Sequence, residues 1–71
     1  MKLSKKEIAN LIFDMTTDYT YLFMKAYKKD MDKQLWAALH IGFITGMKIN
    51  GYEEKELMEA LDIAHKQIKK L

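Results

Sequence analysis

Apolar residues recur at intervals of four and three along most of the chain, which is the spacing that lines one face of an α-helix. The pattern occurs in three segments and predicts an all-α fold, with helices at about residues 4–29, 32–49 and 52–70. The apolar positions are Ile8, Ile12, Met15, Tyr19, Leu22 and Ala26 in the first segment, Leu35, Leu39, Gly42, Gly46 and Ile49 in the second, and Leu57, Leu61, Ala64, Ile68 and Leu71 in the third.

The residues at the predicted helix ends agree with this division. Ser4 followed by Glu7 is a capping-box pattern, in which each side chain satisfies a backbone amide at the start of a helix. Asp30 or Asp32 can begin the second helix in the same way. Asn50-Gly51 is expected to end it, because glycine readily adopts the left-handed conformation found after a helix, and Asn50 can also cap the third helix.

Short connections between three helices of matching pattern predict an antiparallel three-helix bundle, or a helical hairpin with a third helix packed beside it. A chain of 71 residues forms one small domain and buries only a modest core. Self-association would supply additional buried surface. We therefore expect a single helical domain over residues 1–71 that associates with copies of itself.

The second predicted helix supports self-association most directly. Residues 34–47 contain no Asp, Glu, Lys or Arg, and a helix that is apolar all round is normally buried all round. Two neighbouring helices of one small chain cannot cover it, so we predict a homodimer. Aromatic residues of the first helix are expected to join the interface. The predicted interaction surface consists of Trp36, His40, Phe43, Ile44 and Met47 with Tyr21, Met24 and Tyr27.

Three small residues on the same helix, Ala38, Gly42 and Gly46, are spaced by four and permit close approach of another helix. We favour close packing within the chain, and a contact with a second copy is the alternative. His40 lies in the apolar segment without another histidine or a cysteine nearby in sequence. It is interpreted as a hydrogen-bonded packing residue, with a pH-sensitive or ligand-contacting role at an interface as the alternative.

The composition excludes several chemistries. With no cysteine, the chain has no disulfide, thiolate metal site or cysteine nucleophile. Glu59, Asp62 and His65 resemble half of a metal site on one helix, but they are better explained as solvated helix pairing. We predict no catalytic residue, no metal site and no cofactor, and a bundle this small is not expected to contain a substrate-sized pocket.

Nucleic-acid binding is the main alternative function. All 12 basic residues are lysine and the net charge is only +2, which disfavours the base recognition that arginine provides. A dimeric DNA-binding regulator would require a helix-turn-helix in residues 3–24, with Thr16 or Thr17 starting its second helix. The apolar spacing runs through these threonines without a break, and the would-be recognition helix is acidic at its start and then apolar.

The third alternative is a nucleotide or small ligand bound at a subunit interface, near the aromatic residues that flank the first connection. Lysines in residues 25–33 and 66–70 are expected to share one end of the bundle. No segment is long and apolar enough to span a membrane, and no signal peptide is recognised, so we expect a cytoplasmic location. The favoured function is that of a noncatalytic protein–protein interaction, inhibitory or regulatory module, with a partner of unknown identity.

Overall fold

The computed structural model describes residues 2–69 and contains three α-helices. Helix α1 spans Lys5–Tyr27, α2 spans Lys33–Ile49 and α3 spans Glu54–Lys69. This confirms the all-α three-helix fold, and the helix bounds lie within two residues of those predicted. The predicted last residue of the third helix, residue 70, and the predicted core position Leu71 lie outside the described residues.

The start of α1 is fixed by the predicted capping box. The Ser4 hydroxyl accepts a hydrogen bond from the Glu7 amide at 3.2 Å, and the Glu7 carboxylate accepts one from the Ser4 amide at 3.0 Å. The helix ends at Lys28, which adopts a left-handed conformation with φ 61° while its amide donates to the Met24 carbonyl. Asp32 caps α2 by accepting a hydrogen bond from the Leu35 amide at 2.9 Å.

The turn between α2 and α3 differs from the prediction in one detail. The Asn50 side chain donates to the Gly46 carbonyl at 2.8 Å, so it closes α2 and does not cap α3. Gly51 follows with φ 94°, the conformation for which glycine is suited. The first turn of α3 is closed by the backbone hydrogen bond from Leu57 to Glu53.

Helix direction follows from the contacts between helices. Lys5 pairs with Glu59 at 3.3 Å, so α1 and α3 start at the same end and run parallel. The indole of Trp36, near the start of α2, donates to Thr20 in the second half of α1 at 2.9 Å, so α2 runs antiparallel to both. Helix α1 has 23 residues and α3 has 16, so α1 is longer by about 10 Å. We call residues 19–27 the α1 extension.

The core lies mainly between α1 and α3. Alanines at two positions of α3 let these helices approach closely, and α2 contributes one aliphatic residue to the same cluster. The predicted apolar face of α3 is right at Leu57, Ala64 and Ile68, which are all buried. The core cluster consists of Ile8, Ala9 and Ile12 from α1, Ile44 from α2, and Leu57, Ala60 and Ala64 from α3.

The predicted core faces of the other two helices need correction. In α1 the buried positions stop at Thr16, and Tyr19 and Leu22 are more than half exposed because they lie in the α1 extension. In α2 the predicted face is largely wrong, because Leu35, Gly42 and Ile49 are exposed, whereas His40 and Ile44 are buried. The partly buried residues of α2 are Trp36, Leu39, Phe43, Gly46 and Met47, of which Phe43 and Met47 pack against the core cluster.

None of the helices within residues 2–69 combines the length and apolar character needed to cross a bilayer.

Candidate functional site

The solvent side of α2 is largely apolar over residues 34–47, and its exposed lysines, Lys33 and Lys48, lie at the two ends of the helix. Ile41 is 65% exposed and Ile49 is 81% exposed, values more typical of charged surface residues. Ala38, Gly42 and Thr45 carry small side chains, so the surface is open in the middle of the helix. We call this surface the outward face of α2. It consists of Leu35, Ala38, Ile41, Gly42, Thr45 and Ile49, all of which are exposed.

The two glycines of α2 do not serve packing within the chain. A Cβ atom added at Gly42 or Gly46 would meet no other atom within 4 Å, and Ala38 is exposed. The favoured interpretation of these small residues as intramolecular packing positions is therefore wrong. Their placement leaves room for another helix backbone to approach the outward face of α2.

A second apolar surface lies on the α1 extension. Within residues 2–69, no residue of this segment belongs to the core cluster or packs against it. Phe23 and Tyr27 contact one another with ring centroids 4.8 Å apart. The exposed large residues of this surface are Tyr19, Tyr21, Leu22, Met24 and Tyr27, which are 43–66% exposed.

The structure divides the predicted interaction surface into three groups. Tyr21, Met24 and Tyr27 are exposed, as an interaction surface requires. His40 and Ile44 are buried within a single chain, at 4% and 9% exposure, and therefore belong to the core. This corrects their predicted placement on the surface, because α1 and α3 already cover that side of α2. The remaining residues, Trp36, Phe43 and Met47, are partly buried.

A cavity of about 460 Å³ lies between α2 and α3, contrary to the expectation that so small a bundle has no substrate-sized pocket. Lys33, from the first turn of α2, and Lys69, from the last turn of α3, both line it, as the predicted clustering of lysines at one end implies. The other lining residues are Trp36, Ala37, His40, Ile41, Leu61, His65 and Ile68.

Beside this cavity a chain of hydrogen bonds crosses all three helices. The Thr16 hydroxyl donates to the Ile12 carbonyl at 2.7 Å and lies 2.8 Å from Nε2 of His40. Nδ1 of His40 lies 3.2 Å from Nε2 of His65. Because the threonine proton is already donated, Nε2 of His40 must carry a proton and Nδ1 must accept one from His65. This Thr16–His40–His65 relay confirms that His40 is a hydrogen-bonded packing residue.

The surroundings of His40 favour its neutral form. Burial, followed by electrostatic repulsion from His65, lowers the pKa of His40 below its ordinary value of 6.5. The unfolded chain therefore binds more protons than the folded chain between the lowered pKa and pH 6.5. Stability is full above that interval and is lost as the pH falls through it.

We expect the urea midpoint to fall between pH 7.5 and pH 5.5, and the pH dependence to become shallower in His40→Gln, whose side chain does not titrate. Glu7, whose pKa is lowered by its hydrogen bonds with Ser4, affects stability only below its ordinary value of 4.5. If the urea midpoint changed equally with pH in the parent and in His40→Gln, the assignment of this pH dependence to His40 would be contradicted.

The helix-turn-helix considered for residues 3–24 is not formed. Residues 5–27 make one uninterrupted helix. Thr16 is buried in the relay, and the Thr17 hydroxyl donates to the Asp14 carbonyl within the same helix at 2.9 Å, so neither starts a new helix. The DNA-binding alternative therefore loses the motif on which it depended.

The acidic residues considered with His65 do not converge on it. Asp62 pairs with Lys66 at 3.1 Å, and Glu59 pairs with Lys5 across to α1. Both ion pairs are exposed to solvent, and the Asp62–Lys66 pair is the one that the sequence predicts. His65 instead contacts His40, a pairing between helices that spacing along α3 does not reveal.

Comparison with known proteins finds no match among protein-family models, curated proteins or solved structures. The function of the molecule is therefore inferred from its own surfaces and cavity. Three features are available for that inference: the outward face of α2, the α1 extension and the cavity between α2 and α3.

Proposed function

We propose that the protein is a noncatalytic homodimeric interaction module, in which two copies join through the outward face of α2. The observation that carries the proposal is the open strip at Gly42 and Gly46 between the exposed side chains of Ile41 and Ile49. Water contact with such an apolar strip is unfavourable, and its burial against another helix releases that water.

The total exposed surface supports a partner of the size of a second copy. The chain exposes 5426 Å², whereas a compact monomer of 8.4 kDa is expected to expose about 4,600 Å². The excess of about 800 Å² equals the area that each partner contributes to a standard protein interface. The radius of gyration of 12.4 Å likewise exceeds the value of about 11 Å expected for 71 residues.

The chemistry of the outward face suits an identical partner. A two-fold symmetric interface places the same residues opposite one another, so a charged face would repel its own copy. The residues of the outward face are uncharged, and the nearest exposed charge on α2, Lys48, is paired with Glu54 at 3.1 Å. The small residues of the face allow two helices to pack at short distance. A second copy therefore suits the uncharged middle of α2.

Dimerisation would leave the α1 extension for another protein. Its exposed tyrosines are residues of a type that anchors protein interfaces, because they bury large areas with few rotatable bonds. Methionine is also enriched at interfaces, where its flexible side chain adapts to the partner. The extension and the outward face of α2 belong to different helices. The proposed module thus combines a self-association surface with a surface for a regulatory partner.

The dimer is tested by measuring mass in solution by light scattering across a range of concentrations. We expect twice the chain mass of 8.4 kDa, and at least a tenfold weaker association for Gly42→Glu, because a carboxylate would be buried at the interface. Glutamate has a higher helix propensity than glycine, so the variant is expected to remain folded. Gln67→Glu, at an exposed position on α3, is the matched control.

A chain that is monomeric at every concentration would overturn the proposal. So would Gly42→Glu and Ile49→Glu variants that keep the parent's mass and dissociation constant. Circular dichroism of each variant distinguishes loss of association from loss of folding.

A further inference from the structure

The walls of the cavity between α2 and α3 are suited to an apolar molecule. Trp36 and Ile41 from α2 face Leu61 and Ile68 from α3 across it. Its volume of about 460 Å³ lies within the range of about 300–1,000 Å³ that small-molecule sites occupy. An aliphatic chain or an aromatic ring placed there would exchange its contacts with water for contacts with apolar side chains.

The charged groups of the cavity have one sign. Lys33 and Lys69 are exposed and lie at the ends of their helices. No Asp or Glu is among the lining residues. Neither lysine takes part in the ion pairs formed by the described residues. An anion held between two ammonium groups gains from both, more strongly at low salt.

The remaining polar side chains of the lining are engaged within the protein. Both ring nitrogens of His40 are used in the relay, and Nε2 of His65 is directed to His40. The indole nitrogen of Trp36 donates to Thr20. A polar group carried deep into the cavity would therefore find few free partners, whereas one at the lysines would remain both paired and hydrated.

From this arrangement we propose that the cavity binds an amphipathic carboxylate of the fatty-acid class. The aliphatic chain lies between α2 and α3, and the carboxylate lies at Lys33 and Lys69. This is a ligand-binding function in addition to the proposed self-association. The lining residues come from one chain, so the site does not require the dimer, although Ile41 belongs both to the cavity wall and to the outward face of α2.

The single tryptophan of the chain reports on this site, because Trp36 lines the cavity. We expect decanoate, at concentrations where it is monomeric, to shift the emission of Trp36 in a saturable manner. Decanol has the same chain without the charge and is expected to bind about tenfold more weakly, and decylamine, with the opposite charge, more weakly still. Of the three ligands, only decanoate is expected to bind more weakly when salt is added.

Variants assign the two ends of the ligand. Lys33→Gln and Lys69→Gln are each expected to weaken decanoate binding about two- to fivefold, as for exposed charge pairs, with little effect on decanol. Lys6→Gln, an exposed lysine of the first turn of α1, is the matched control. Ala37→Phe places a ring in the cavity from an exposed position and is expected to reduce binding of both ligands at least tenfold.

Equal affinity for the three decyl compounds would overturn the carboxylate assignment, as would unchanged decanoate affinity in both lysine variants. Unchanged binding in Ala37→Phe would overturn the location. The Gly42→Glu variant is expected to bind decanoate as the parent does, so failure of the dimer and failure of the ligand site give separate results. Binding only to anionic lipid vesicles, and not to decanoate, would also contradict the proposal.

Discussion

Replacing Leu57 by alanine is expected to lower the free energy of unfolding by about 2–5 kcal/mol. Leu57 is fully buried between α1 and α3, so the substitution removes apolar contacts and leaves a cavity that the two helices cannot close. A domain of this length has a total stability of about 4–10 kcal/mol. Urea denaturation monitored by circular dichroism is expected to show a loss of a large part of it.

The matched control is Leu22→Ala, the same chemical change in the α1 extension. Leu22 is 56% exposed, and we expect a change of no more than about 0.5 kcal/mol. Both leucines occupy apolar positions of the sequence pattern, so the pattern alone predicts similar losses. Similar losses measured at the same protein concentration would show that the α1 extension is packed within the chain.

Thr16→Val is expected to cost about 1–3 kcal/mol, although valine has nearly the shape of threonine. The substitution removes the oxygen that accepts the Nε2 proton of His40, and a buried donor without a partner carries its full desolvation penalty. The Ile12 carbonyl also loses its threonine donor, but it lies inside helix α1, where a backbone amide still donates to it. Thermal or urea unfolding at pH 7.5 measures the loss with His40 neutral.

Thr17→Val is the control for this experiment, since Thr17 makes a similar hydrogen bond to its own helix but does not contact His40. The double variant Thr16→Val/His40→Leu is expected to lose less stability than the two single variants lose together, because both polar partners are then absent. Strictly additive losses would show that Thr16 and His40 do not interact.

Much of the fold could be predicted because local signals agree. Helix α3 has one apolar face, acidic residues in its first turn and lysines in its last, and its face was placed correctly. The capping box at Ser4 and Glu7 gave the start of α1. Where one helix has one apolar face, periodicity and burial report the same residues.

Helix α2 shows where this reasoning fails. Periodicity predicts Leu35 and Ile49 as core positions, but both are exposed, and the buried residues of α2 are His40 and Ile44. Both faces of α2 are apolar, and spacing does not say which of two apolar faces packs inside the chain. The same ambiguity led to His40 and Ile44 being placed on the interaction surface.

The relay and the cavity depend on distance between helices, which the spacing within a helix does not contain. Thr16, His40 and His65 meet because the connections set the heights of three helices relative to one another. The available sequence signals are the single histidine inside the uncharged segment of α2 and the lysines expected at one end. They indicated a hydrogen-bonded histidine and a basic end, but not their partners.

The buried imidazole of His40 also determines which side of α2 faces the core and which side faces solvent. Rotating α2 by half a turn would hide the side that carries Gly42 and would turn His40 into solvent, breaking its bonds with Thr16 and His65. The two sides of α2 are similarly apolar, and one histidine makes them unequal. A buried asparagine fixes helix orientation in coiled coils in the same way. His40 therefore fixes which side of α2 packs inside the chain and which side stays exposed.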